Sequence, residues 1–235
     1  MTHNVHPYSF RLGIIRDWKS RWFNTKEYKT LLRVDTLLRE WLFARTKGMM
    51  VEGIVMERGP REFKIVIRST RPGLIIGRGG EGIEKLKKDA EKKLEQIVGK
   101  KPNYAMRLTV EEVENPEANA TIVAQMVAQD LERRLPFRRT LKTHIAKVFA
   151  ARGVEGVKIK LSGRLDGAEM GRVEWLKEGR IPLQTLRADI DFARERAVLP
   201  YGTIGVKVWI YRGQIFERDR KAAEERAMQN AQKTS

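Results

Sequence analysis

The stretch IIGRGGEGI, residues 75–83, limits the fold more than any other part of the chain. It sets four glycines in six positions, Gly77, Gly79, Gly80 and Gly82, between two apolar runs of helical period. A glycine inside a helix is worth about 1 kcal/mol less than alanine, so the cluster predicts a tight turn rather than one continuous helix. Upstream, PGLII begins with Pro72, which suits a first helical turn. Downstream, Ile83, Leu86, Ala90, Leu94 and Ile97 form a stripe, with Lys85, Lys88 and Lys92 off it. Bare glycine amides followed by a helix N-terminus let a phosphate approach the backbone closely.

That chemistry serves a dinucleotide or a nucleic acid equally, and the flanking elements separate the two. Asn24 with Glu27 reads as a capping box for a helix whose apolar residues are Tyr28, Leu31, Leu32, Leu38 and Leu42, ending near Gly48. VEGIVMER and EFKIVIRS read as a strand hairpin, and YAMRLTV alternates as a third strand. The expected order is helix, strand, strand, short helix, glycine turn, long helix, strand. A dinucleotide fingerprint, G-x-G-x-x-G, needs a strand running into its first glycine and an acid about 20 residues on. Leu74-Ile75-Ile76 is too short for that strand, and the next strand ends in Glu111 and Glu112, roughly 30 residues beyond the fingerprint. A purely mechanical turn would account for one or two glycines, not for four with Arg78 at the tip. Nucleic acid is therefore the expected ligand.

The charge agrees. Among 235 residues, 47 are Lys or Arg and 30 are Asp or Glu, a net charge of +17. A surplus of that size repels itself unless a polyanion is present. No apolar run approaches the roughly 20 residues of a spanning helix, and no signal-peptide core is seen near Met1. Cysteine is absent, which excludes disulfides and thiolate metal sites and fits a cytoplasmic setting. At the start, Phe10, Trp18, Trp22 and Phe23 alternate with Arg11, Arg16, Lys19 and Arg21. Such a mixture suits base stacking, or it docks an arm onto the core.

The element order and RPGLIIGRGGEGIEKL resemble a KH domain of the bacterial type, α-β-β-α-α-β. The resemblance implies that Gly77, Arg78, Gly79 and Gly80 clamp a sugar-phosphate backbone beside an apolar groove for unpaired bases.

Beyond the acidic segment EEVENPE a second region begins. Val123, Val127, Leu131 and Leu135 predict one helix, ended by Pro136. Leu141, Ile145, Val148 and Phe149 predict another, ended by Gly153. VKIKLSG, TLRADIDF and IGVKVWIY read as strands, so the expectation is an α+β domain with two helices packed on a sheet. From Arg133 to Arg152 there are seven cations (Arg133, Arg134, Arg138, Arg139, Lys142, Lys147 and Arg152) and no carboxylate. Arg138, Arg139 and Lys142 fall within a sector of roughly 100° in the first turns after Pro136. A cation there opposes the helix dipole by about 0.3–1 kcal/mol, an arrangement that a bound anion would reverse.

FRLGI, LERRLPFRRTLK, SGRLDGAEMGRVEWLKEGRIPLQTLRADIDF and YGTIGVKVWIYRG, with the glycine turn, are similar to the bacterial family of the third protein of the small ribosomal subunit. The likeness runs from about residue 5 to 216. It implies a non-enzymatic, structural constituent of the subunit head that binds rRNA. It also implies contact with the tenth and fourteenth small-subunit proteins and a place where mRNA enters the ribosome. In that family the residues matching Arg138, Arg139 and Lys142 guide mRNA and help unwind it. Arg134, Arg164, Arg172 and Arg180, with Arg11 and Arg16 of the start, are the further RNA contacts expected, and no cofactor or homo-oligomer is. Gln184 stands where the family commonly has histidine.

The expected organisation is a basic aromatic arm over 1–23, a KH domain over 24–114, a C-terminal α+β domain over 115–216 and a polar tail over 217–235. His3 and His6 are weak metal candidates without a third ligand, and His144 has no evident acid partner. There is no P-loop motif, which excludes a nucleotide-driven motor.

Overall fold

The computed structural model describes residues 5–59, 61–99 and 104–216. The expected tail and His3 lie outside them. The chain divides into two compact units. Trp18–Gln125 forms one, and the described residues of Met1–Asp17 and Met126–Ser235 form the other. The stretch expected as a single arm is thus divided at Asp17, and its first part groups with the C-terminal unit. The second division falls within a helix rather than at the acidic segment.

In chain order the elements are α1 (Pro7–Phe10), β1 (Ser20–Arg21), α2 (Tyr28–Arg45), β2 (Val51–Arg58), β3 (Glu62–Ser69) and α3 (Pro72–Ile76). A single 3₁₀ turn over Arg78–Gly80 leads to α4 (Glu81–Val98) and β4 (Ala105–Glu112). Then come α5 (Ala120–Glu132), α6 (Phe137–Ala150), β5 (Gly156–Gly163), β6 (Arg172–Gly179), β7 (Ala188–Leu199) and β8 (Gly202–Gln214). The fold is α+β in both units, with a KH arrangement in the first.

In that first unit the sheet order is β1-β2-β3-β4. β2 and β3 are antiparallel, with Ile54 opposite Ile67 and Met56 opposite Ile65, whereas β3 and β4 are parallel. Ile54, Met56, Phe63, Ile65 and Ile67 are buried with Leu38, Leu42, Leu86, Ala90 and Leu94. The stripe expected on α4 is the one observed. On α2 the buried face is Val34, Asp35, Leu38 and Leu42, while Tyr28 and Leu32 are exposed. At 100° per residue Leu32 sits about 120° around the helix from Leu38, so the expected apolar set mixed two faces.

Asp35 is the surprise on that face. Its carboxylate is 2% exposed and accepts Arg58 Nη2 at 2.6 Å, Arg58 Nε at 2.8 Å and Trp22 Nε1 at 3.0 Å. Arg58 also donates to the Tyr104 hydroxyl at 2.9 Å and lies 4.0 Å from the Phe63 ring centroid. Every polar atom of this ion pair has partners, which offsets the cost of its desolvation. Trp22 is therefore docked on the first unit, whereas Trp18 and Phe23 are exposed.

The second unit holds an antiparallel sheet of order β6-β5-β8-β7. Val157, Ile159, Leu161, Val206, Val208 and Ile210 are buried on one face, and α6 packs against β5 and β6. Leu141, Ile145 and Val148 of α6 are buried as expected. Phe149 is exposed, and Leu135 lies exposed beyond the end of α5. The sheet has one strand more than the sequence pattern predicts. β6 runs along the edge with nearly every residue exposed, so it carries no apolar alternation to betray it.

Candidate nucleic-acid interface

The glycine turn does two different jobs. Gly77 ends α3, its amide donating to the Gly73 carbonyl at 3.0 Å. A Cβ on Gly82 would sit 2.7 Å from the Ile75 carbonyl oxygen and 2.8 Å from that of Ile76. Gly82 thus lets α4 start directly against α3. Gly79 and Gly80 have φ of 60° and 85°, and a Cβ on either would meet nothing within 4 Å. They form an open tip with Arg78, which is exposed. Glu81 and Glu84 occupy the first turn of α4 and complement its dipole. A cleft of about 130 Å³ lies beside the turn, lined by Leu74, Ile75, Gly82, Lys85 and Leu86 among others. Because a helix, α3, precedes the first glycine, the dinucleotide alternative fails on topology.

The second constellation sits at the start of α6. Pro136 is its N-cap, no side chain caps it, and its first turn has no acid. Arg138, Arg139 and Lys142 are exposed, and among the described residues no ion pair involves any of them. Phe137, buried beneath them, has Arg138 Cζ 5.6 Å and Arg172 Cζ 5.4 Å from its ring centroid. The fold thereby brings Arg172 to the Arg138 cluster from 34 residues along the chain. Arg172 also makes a loose ion pair with Glu174 at 3.6 Å. Arg134, exposed and with φ of 62°, lines a cleft of about 230 Å³ with Phe137, Asp166 and Tyr201.

The other expected contacts disperse. Arg11 is a correction: it is wholly buried, so it cannot meet RNA. Its guanidinium donates to the carbonyls of Ala188 (2.7 Å), Thr185 (2.8 Å), Leu183 (2.9 Å) and Pro7 (3.1 Å). Burial lowers its pKa, an effect opposed by the charge of Asp189. Arg16 is half-buried and paired with Asp189 at 2.6 Å, so its charge is largely spent within the fold. Arg164 holds its own loop, donating to Ala168 O at 2.8 Å and Tyr201 O at 3.2 Å. Arg180 is exposed in a separate cleft of about 690 Å³ with Lys177, Tyr211 and Phe216.

His144 is a second correction, because it has an acid partner. Its Nε2 lies 2.8 Å from Asp130 Oδ2, joining α6 to α5, and the ring is buried. Asp130 falls in the stretch read only for its apolar spacing, one helix away in sequence. His6 Nδ1 accepts the Tyr8 amide at 3.2 Å and its ring packs edge-on against Phe192. Among the described residues no cluster of three acids or histidines could hold a metal. Glu111 pairs with Arg68 at 3.0 Å. No helix among the described residues is long and apolar enough to cross a membrane.

Comparison with known proteins then bears on both clusters. Residues 37–118 match the KH domain family, and residues 127–210 match the family described as ribosomal protein S3, C-terminal domain. The chain is 44% identical over 227 residues to small ribosomal subunit protein uS3 of Endomicrobium trichonymphae, covering 97% of this chain and 94% of the relative. It is 44% identical over 230 residues to that of Parvibaculum lavamentivorans, covering 97% and 94%. Against that of Salinibacter ruber the identity is 43% over 235 residues, covering 100% and 96%. These relatives are named as ribosomal proteins, not as enzymes.

Proposed function

Because this chain belongs to the uS3 family of small-ribosomal-subunit proteins, we propose that it is a structural constituent of the subunit head in the cytoplasmic ribosome, holding rRNA and guiding mRNA where it enters. The observation that carries the mRNA part is the start of α6. Three exposed cations stand there with no ion pair among the described residues, at the end of a helix where they lower stability unless an anion is present. Phosphates of a single strand supply that anion, and release of its counterions supplies much of the affinity.

Unwinding on this reading is mechanical. Arg138, Arg139 and Lys142, with Arg172 beside them, hold strands that have parted, while movement of the ribosome along mRNA provides the work. The turn Gly77-Arg78-Gly79-Gly80 is the backbone clamp of the KH domain, its open tip admitting a sugar-phosphate chain. Arg134 and Arg180 are further RNA contacts, and the tenth and fourteenth head proteins are the neighbours. The domains that do this work span about 24–114 and 115–216.

Two measurements test the proposal. A native extract is washed in high salt and sedimented, with the protein followed by mass spectrometry. One copy per small subunit is expected, and migration at the top of the gradient would leave only a free RNA-binding protein. Subunits carrying Arg138→Gln, Arg139→Gln and Lys142→Gln are then run on mRNA with and without a downstream hairpin. Slowing confined to the hairpin template is expected, and equal rates on both templates for variant and parent would overturn the guiding role.

A further inference from the structure

The face of the second sheet opposite Val157, Ile159, Leu161, Val206, Val208 and Ile210 has, beyond the buried pair Ile190 and Tyr211 at one end, a composition that neither cluster explains. Side chains alternate across a strand, so the register identifies the residues that share this face. One row is Phe192, Trp209, Lys158 and Lys177, and the next is Arg194, Lys207, Lys160 and Trp175. A third row holds Arg196, Gly205, Ser162 and Val173. These three rows carry six cations, three aromatic rings and no carboxylate. Of the acids of the same strands, Glu174, Glu178, Asp191 and Glu195 have the opposite parity, opposite Leu161, Val157, Ile210 and Val206, and Asp189 at the start of β7 is paired with Arg16.

The rings and cations are arranged together. Lys158 Nζ lies 4.7 Å from the Trp175 ring centroid and 5.5 Å from that of Trp209. Trp209 and Phe192 pack with centroids 5.1 Å apart, and Arg194 Cζ lies 5.9 Å from Phe192. Trp175 is 53% exposed, as is Val173, although an edge strand gains nothing in stability from showing a tryptophan to water. Arg194 and Arg196 are exposed, and Lys160 and Lys207 stand side by side across β5 and β8. Like charges directly opposed on a sheet repel, which a polyanion would relieve.

We propose that this sheet face is a second RNA surface, on which an unpaired base stacks on Trp175 while Lys158, Lys160, Lys207 and Arg194 hold the flanking phosphates, with Trp209 half-buried against Ala188, Ile190 and Tyr211 at the edge of that surface. The chemistry is that of sheet platforms which read single strands by aromatic stacking and backbone charge. An acidic protein segment would match the charge, but it would leave the exposed indole without a purpose. The inference deepens the RNA-binding reading above, and rests on it only in taking RNA as the ligand.

The test uses the full chain and a ten-nucleotide oligouridylate at several salt concentrations. Trp175→Ala should weaken binding about tenfold, and Trp175→Phe should restore most of that loss. Lys160→Gln with Lys207→Gln should lower the salt slope by about 1.4, two contacts at roughly 0.7 each. Photocrosslinks from 4-thiouridine should map to β6 and β8. Trp175 is exposed at an edge, so thermal unfolding of the Trp175 variants should match the parent. If both sets bind like the parent while Arg78→Gln does not, this face is not an RNA surface and the KH reading stands. If an oligoglutamate displaces the RNA and Trp175→Ala has no effect, the face is one for acidic protein. If the parent does not bind the oligonucleotide at all, the RNA-binding reading falls together with this proposal.

Discussion

A Cβ placed on Gly82 would sit 2.7 Å from the carbonyl oxygen of Ile75, nearer than such atoms approach in folded proteins. The short helix before the turn and the long helix after it are therefore set against each other by the absence of a side chain. Gly82→Ala should lower stability by about 1–3 kcal/mol, because α3 must shift to relieve the overlap. Gly79→Ala meets no neighbour and costs only the left-handed backbone, about 1 kcal/mol. Urea unfolding of the two variants checks the difference, and equal losses would count against the close approach.

Asp35 and Arg58 make a buried pair whose separate halves are dangerous. Asp35→Ala should cost about 3–5 kcal/mol, since it strands a guanidinium that is itself 8% exposed. Replacing both, with Asp35→Leu and Arg58→Met, should recover much of that loss. A thermal melt of the two variants reads this directly.

The cations of α6 should behave in the opposite way. Arg138→Gln, Arg139→Gln and Lys142→Gln together should leave the melting temperature unchanged or slightly raised, because unfavourable dipole contacts are removed. RNA affinity should fall, and the slope of log affinity against log salt should shrink by roughly 2, at about 0.7 per contact. A triple variant that unfolds at markedly lower temperature would mean the cations are structural.

Arg11 supplies the control. Arg11→Ala removes the donor for four carbonyls within 3.1 Å and should cost about 3 kcal/mol or more. Arg11→Lys should rescue little, since one ammonium cannot span that fork. At temperatures where the variant stays folded, the salt slope for RNA should equal the parent's. A reduced slope would restore Arg11 as a contact.

Much of this protein was legible in its residues for a simple reason. Glycine's backbone freedom, helical and strand periodicity, and net charge are local or additive properties, so the turn at 77–82, the stripe of α4, the core of α6 and a polyanionic ligand could be read without a fold. Arginine was the residue type that misled. Arg11, Arg16, Arg58, Arg138 and Arg164 are chemically identical in the sequence, yet Arg11 and Arg58 are buried, Arg16 and Arg164 are bound into the fold, and Arg138 is left to solvent. What separates them is the position of carbonyls and carboxylates that lie up to 177 residues away.

The same holds for β6 and for the aromatic, cationic sheet face. Lys158, Trp175, Phe192, Lys207 and Trp209 come from four strands, and only pairing register places them together. The sequence determined most of the elements, β6 excepted, and a surplus of positive charge that calls for a polyanion. Tertiary structure alone decided which cations remain free for it, because hydrogen bonding and burial are settled by distant partners whereas propensity and charge are carried by the residues themselves.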